Sequence, residues 1–203
     1  MGRKNLDVAL STFGGPDVKI TWQPFFLNRD TPPEGEDLMQ HLTRKYGAEA
    51  VERYGKPGNP LDIAGSKVGI NFNSTRRVIR TVSCHRVMEW VRGNPTTSER
   101  QDAVMDVLFK GYFEDAKDLS NTEVLLALLS TIPNFDVDAV RGMLLETEDH
   151  KAEVFAQDDK FKRGGVSGVP FFIIGEGNRK VQFSGAQPPE TFVGVFEDFL
   201  EEE

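Results

Sequence analysis

The sequence predicts an α/β fold in which a small sheet is divided along the chain by a long block of helices. Three observations carry this. Val18-Lys19-Ile20-Thr21-Trp22-Gln23 alternates apolar with polar near the N-terminus, helical stripes recur from Leu38 to Phe161, and a strand, turn, strand and helix pattern closes the chain from Phe171 to Phe199.

Leu6, Ala9, Leu10 and Phe13 have three- and four-residue spacing and predict a first helix, ended by Gly14-Gly15-Pro16. The alternation over 18–23 is the period of a strand with one covered face, and Pro24 ends it. After the turn-rich Asn28 to Gly35, Leu38, Met39, Leu42 and Tyr46 predict a helix up to Gly47. Gly55 to Pro60 reads as a loop and Gly65 to Phe72 as a short extended segment. Cys84, Val87, Met88 and Val91 form one helical stripe, and Val104, Val107 and Leu108 another. Thr96 with Glu99, and Ser120 with Glu123, have capping-box spacing, in which hydroxyl and carboxylate each satisfy a free backbone N–H. Asp136 is placed to cap a helix carrying Val137, Val140 and Leu144, and Val154, Phe155 and Phe161 predict one more. Phe171-Phe172-Ile173-Ile174 is apolar on both faces and suits a buried central strand. Gly175 to Asn178 reads as a hairpin turn, Lys180 to Phe183 as an edge strand, and Phe192, Val195, Phe196 and Phe199 as the stripe of a last helix.

Size and charge bound the function. A chain of 203 residues builds one sizeable core, and 15 Phe against 3 Tyr and 2 Trp make that core phenylalanine-rich. The net charge of −8 repels phosphate backbones and anionic membrane surfaces, so neither nucleic acid nor membrane is an expected partner. Met1 to Leu6 lacks the apolar run of a secretory signal, and a cytoplasmic protein is expected. Oligomeric state is not readable from the sequence.

Cys84 is the only cysteine, which excludes an intrachain disulfide, a CxxC pair and a thiolate-rich zinc site within this sequence. It shares its stripe with Val87, Met88 and Val91, the place of a small buried hydrophobe, so no catalytic residue is assigned. His85 and Glu89 have the i,i+4 spacing of metal ligands but no third ligand, and no metal is expected. His41 and His150 belong to no visible constellation, and Gly164-Gly165 reads as a helix end.

Residues Gly164-Gly165-Val166-Ser167-Gly168-Val169-Pro170-Phe171-Phe172, continued through Gln187-Pro188-Pro189-Glu190, resemble the C-terminal motif of DsbA-like thioredoxin domains. The branch most alike is the cytosolic one related to 2-hydroxychromene-2-carboxylate isomerases. Gln23-Pro24-Phe25-Phe26-Leu27-Asn28 and Ser83-Cys84-His85-Arg86 match in the same order, so the resemblance spans nearly the whole chain. It implies a thioredoxin-like fold with a large helical insertion. Residues 1–31 and 164–203 would form the discontinuous thioredoxin-like domain, and 32–163 the insertion.

The resemblance also implies a site. Gly168, Val169 and Pro170 would form a cis-proline loop, with Val169 offering its backbone N–H and C=O to a thiol- or disulfide-bearing peptide or to glutathione. His85 would support that face by hydrogen bonding. Family members carry a CxxC just ahead of the segment resembling Gly2 to Leu10, at the end of a strand lying between the counterparts of 18–23 and 171–174. The expectation is therefore a shortened form without its catalytic dithiol or first strand, with no cofactor beyond glutathione as cosubstrate. Its unpaired strand edges would each cost about 1–3 kcal/mol per buried orphan group and lower its stability. Three activities stay open: thiol-disulfide oxidoreductase, glutathione-dependent isomerase or transferase, and a thiol- or peptide-binding module without catalysis.

Overall fold

The computed structural model describes residues 1–93, 100–176 and 178–201. Ten α-helices and four short strands are formed among them. The chain opens with α1 (Gly2–Thr12), and the sheet elements close it as the hairpin β3 (Phe171–Glu176) and β4 (Arg179–Ser184), followed by α10 (Pro189–Leu200). Between them run β1 (Glu36–Asp37), α2 (Leu38–Tyr46), α3 (Ala48–Tyr54), α4 (Pro60–Ser66), β2 (Arg77–Val78), α5 (Val82–Gly93) and α6 (Arg100–Phe109). A π-helical turn over Lys110–Glu114 then leads to α7 (Thr122–Leu129), α8 (Val137–Glu146) and α9 (Lys151–Arg163).

Two apolar cores hold these elements. In the smaller one, Leu6 and Ala9 of α1 meet Phe192 and Phe196 of α10 against one face of the hairpin. Phe172, Phe183 and Phe192 pack as a triad with ring centroids 4.8–5.4 Å apart, so the predicted phenylalanine core is an aromatic cluster of edge and tilted contacts. The larger core lies within the helical block, where the α5 stripe (Cys84, Val87, Met88, Val91) meets Val104 of α6 and Leu125 of α7.

The helix starts follow local chemistry. Asp37, Asn59, Asn121 and Asp136 each accept hydrogen bonds from free backbone N–H groups at the heads of α2, α4, α7 and α8. Asn121, not Ser120, caps α7: its Oδ1 accepts from Glu123 and Val124 N–H, while the Ser120 hydroxyl donates to Asp118 Oδ1 at 2.5 Å. The box expected from Thr96 and Glu99 lies outside the described residues. Residues 65–72 form no strand: 65–66 finish α4 and 67–69 turn, and the Phe72 ring lies 2.7 Å from the position a Cβ on Gly65 would take.

The sheet departs most from expectation. Val18–Gln23 joins no ladder among the described residues, although Ile20 and Trp22 stay partly covered while Lys19, Thr21 and Gln23 face solvent. The alternation of the sequence thus reports which side is covered, and says nothing of a hydrogen-bonding neighbour. Nor is β3 a buried central strand. Among the described residues it pairs only with β4, antiparallel from Phe171↔Ser184 to Glu176↔Arg179, and Ile173 on its outer face is 46% exposed. Phe172 and Ile174 face α1 and α10, whereas no comparable layer covers Ile173. β4 alternates partly buried and exposed residues, as an edge strand does.

Candidate functional site

The loop before β3 is set by how α9 stops. Gly164 and Gly165 donate to carbonyls of the last turn, Gly165 takes φ +89°, and Val166 N–H reaches back to Phe161 O at 3.0 Å. This is a helix-ending pattern that uses glycine where φ is positive, and it turns the chain toward Gly168. The Val169–Pro170 peptide is cis. Val169 is 50% exposed.

Pro170 sits directly on the head of α1. Gly2 is buried beneath it, and a Cβ there would come 3.0 Å from Pro170 Cγ and 3.1 Å from Phe172 Cζ, which explains a residue without a side chain at this position. On the other side Gly185 donates to Pro170 O at 2.8 Å, and Asn5 Nδ2 donates to Gln187 O at 2.7 Å. These bonds join three segments distant in sequence: the 168–170 loop, the first turn of α1 and the loop 185–187. A groove of about 560 Å³ opens beside them, lined by Met1, Asn5 and Ala186 and by Pro60, Ile63, Ala64, Lys67 and Val68 on and just after α4. Its floor is apolar, with Lys67 as its charged side chain. Helix α4 had no signal in the sequence beyond Asn59-Pro60, a cap followed by proline in the first helical turn.

His85 is held elsewhere. Its ring packs edge-on against Phe26 at 4.8 Å and lies near Asp158 and the Phe25 backbone. The contacts that define it belong to the 23–28 segment, not to Gly168–Pro170. Burial lowers its pKa to about 4, against the opposing pull of Asp158 and Phe25, so the ring is neutral near pH 7.

Asp158, fully buried, anchors that segment. Its carboxylate accepts from Phe26 N–H at 2.9 Å, Arg29 Nε at 2.6 Å and Lys162 Nζ at 2.9 Å, while Lys162 also donates to Phe26 O at 2.8 Å. Burial by itself would raise the Asp158 pKa, but the Phe26 N–H, Lys162 and Arg29 outweigh it and the group is held below its ordinary value. Nothing in the local pattern of Gln157-Asp158-Asp159 separates the buried acid from its neighbours. The helical spacing to Lys162 was the available sign.

Glu89 is turned away from any metal role by its pairing with Arg92 and Gln157. No group of three His, Cys, Asp or Glu among the described residues is arranged to hold a metal ion. His41 does have partners: its Nδ1 lies 2.9 Å from Glu36 Oε2, and Arg44 binds both Glu36 oxygens. Hydrogen bonds from Arg44 first, then His41, hold Glu36 down to about 2.

Cys84 is buried, with Sγ directed at Leu119 O at 3.9 Å, and desolvation pushes its thiol up to about 12. A thiol so placed carries no thiolate at neutral pH. Cys84 in the folded protein is expected to resist Ellman's reagent until denaturant is added; stoichiometric labelling of the native state within seconds would show it accessible.

The fold and the loop define a thioredoxin-type domain carrying a block of helices. The chain belongs to the DSBA-like thioredoxin domain family, whose model matches residues 1–197. It is similar in structure to a probable DsbA oxidoreductase from Streptomyces coelicolor, with TM-score 0.82 and 23% identity over 100% of this chain and 84% of that one. It is also similar to the cytosolic disulfide reductase DsbM from Pseudomonas aeruginosa, with TM-score 0.59 and 14% identity over 100% of this chain and 93% of that one. A structure of that reductase with GSH gives TM-score 0.56 at 14% identity, covering 98% and 92%. Comparison with curated proteins finds no match. No helix among the described residues is long and apolar enough to cross a membrane.

Proposed function

We propose that the protein takes part in thiol–disulfide chemistry by binding glutathione, or the cysteine of an extended peptide, along the Val169–Pro170 edge. The observation that carries this reading is the exposed Val169 next to Pro170, which packs on Gly2 at the head of α1, where Met1 and Asn5 line a groove of about 560 Å³. In this reading residues 1–31 and 164–203 form the ligand-bearing unit and 32–163 the insertion. Val169 N–H and C=O pair with the ligand backbone in the manner of strand addition. The first turn of α1, with backbone N–H groups not used within the helix, stabilises a thiolate brought to it. Lys67 attracts a carboxylate of the ligand. A cytoplasmic setting, where glutathione keeps thiols reduced, suits this ligand.

The sulfur in this groove is the ligand's own, because the one cysteine of the sequence is sealed in the helical core. That favours glutathione as cosubstrate, as in glutathione-dependent isomerases and transferases, over a protein dithiol within residues 1–203. In the exchange reaction a thiolate attacks a disulfide sulfur; one S–S bond forms as the other breaks, and the displaced sulfur leaves as thiolate.

Titrating reduced glutathione into ¹⁵N-labelled protein is expected to shift the amide signals of Asn5, Val169 and Ala186, and Ala186→Trp should abolish those shifts by filling the groove. Cys84→Ala should leave them unchanged. Glutathione that moves none of these amides, or binds equally well to the Ala186→Trp variant, overturns the reading.

A further inference from the structure

A second cavity, of about 390 Å³, lies within the helical block. Helix α4 separates it from the groove, lending Leu61 and Asp62 to the cavity and Ile63 and Ala64 to the groove. The volume falls within the range of small-molecule sites. Its walls are apolar, with Leu38 and Leu42 of α2, Leu61 of α4, and Phe72. Phe72 can stand there because Gly65 leaves room for its ring.

The charges around this cavity are sorted. Arg76 lines it, and its guanidinium donates to Asn73 O at 2.8 Å and hydrogen-bonds the Tyr112 phenol, with Phe72 and Phe113 rings stacked 5.9 and 5.6 Å away. No carboxylate among the described residues pairs with it. Tyr46 and Tyr54 stand at the mouth, 60% and 37% exposed, and carry Lys45 and Arg53 over their rings at 5.1 and 5.5 Å. The acid in the lining, Asp62, accepts from Gly58 N–H at 3.0 Å and lies in the first turn of α4, where the helix dipole favours it. An apolar chamber with cations at its mouth and a guanidinium lacking a carboxylate partner is complementary to an anion with an aliphatic body.

We propose that this cavity binds a medium-chain aliphatic carboxylate, its chain among Leu38, Leu42 and Leu61 and its carboxylate on Arg76. Octanoate is the probe, titrated calorimetrically below its micelle-forming concentration, with 1-octanol as its uncharged counterpart. Octanoate should bind, and Arg76→Met should weaken it by about tenfold or more, equivalent to 1.4 kcal/mol. Arg76→Lys should recover most of the loss. Binding of 1-octanol should be weak and the same in all three proteins. Leu42→Trp, which fills the chamber, should remove octanoate binding while the amide shifts caused by glutathione at Val169 persist, so the two sites are tested separately. Absence of octanoate binding, binding indifferent to Arg76→Met, or binding retained in Leu42→Trp with native circular dichroism overturns the proposal.

Discussion

Replacing Arg86 by methionine is expected to destabilise the protein by about 3 kcal/mol or more, because each buried acceptor left unsatisfied costs about 1–3 kcal/mol. For a chain of this size that corresponds to a melting temperature lower by about 6–12 °C. Arg86 is 5% exposed on α5, and its guanidinium is spread over main-chain oxygens: Asp149 O at 2.9 Å, Met143 O at 2.7 Å and Thr147 O at 2.8 Å, with Leu144 O more distant at 3.4 Å. These carbonyls belong to the C-terminal end of α8 and the turn after it, where a helix leaves its last oxygens unpaired and its dipole is negative. One buried cation thus does for α8 what several waters would do at an exposed end. Methionine keeps the aliphatic stem and removes every donor. Lysine keeps the charge but cannot span acceptors on both sides, so Arg86→Lys should recover less than half of the loss. A thermal unfolding series of the three proteins measures this, and an unchanged midpoint for Arg86→Met would mean that water replaces the guanidinium without cost.

The helices were legible because burial on a helix repeats along the sequence. The stripes at Leu6, Cys84, Val104, Val140 and Phe192 all became core. Strand pairing has no such local record. Val18–Gln23 shows the alternation of a covered segment, yet a ladder needs a neighbour that no residue within the segment encodes. The same limit explains β3, whose apolar residues predicted cover on both faces while Ile173 remained exposed. At α7 two cap residues stood side by side; Asn121 caps the helix, and the Ser120 hydroxyl turns to Asp118 instead.

The loop at Gly168–Pro170 was legible through its resemblance to a family motif, not through residue chemistry. What it touches was not: Gly2 and Gly185 meet it only in three dimensions. Ser83-Cys84-His85-Arg86 drew attention to its sulfur and imidazole. In the fold its four side chains diverge as neighbours on a helix must, and the arginine has the largest structural task. Asp158 illustrates the opposite case, an unremarkable acid in a charged stretch that fixes the 23–28 segment through contacts more than a hundred residues away in sequence.

Acid should expose the linkage between that segment and His85. The folded imidazole has its pKa lowered from 6.5 to about 4 by burial, so between those values the unfolded chain binds a proton that the folded chain refuses. Stability then rises with pH across the window and falls as pH drops through it. The shift allows at most about 3 kcal/mol, at 1.36 kcal/mol per unit, with solvent at the partly covered ring reducing it. Asp158 adds a second slope lower down. Its folded pKa lies below its ordinary 3.8, so its contribution is complete above that value and disappears as pH falls through the folded one. Other carboxylates titrate in the same range, and subtraction removes them. His85→Phe keeps an aromatic ring beside Phe26 and has no proton to gain, so the stability difference between it and the parent should change by up to about 3 kcal/mol from pH 7 to pH 4, always in favour of the variant in acid. Asp158→Asn should flatten the fall below pH 4, and by removing the charge that opposes burial at His85 it should not weaken the slope between pH 4 and 6.5. Urea unfolding of the three proteins at half-unit intervals from pH 3 to 7 measures both slopes, and parallel curves for the parent and His85→Phe between pH 4 and 6.5 would place the imidazole in contact with water.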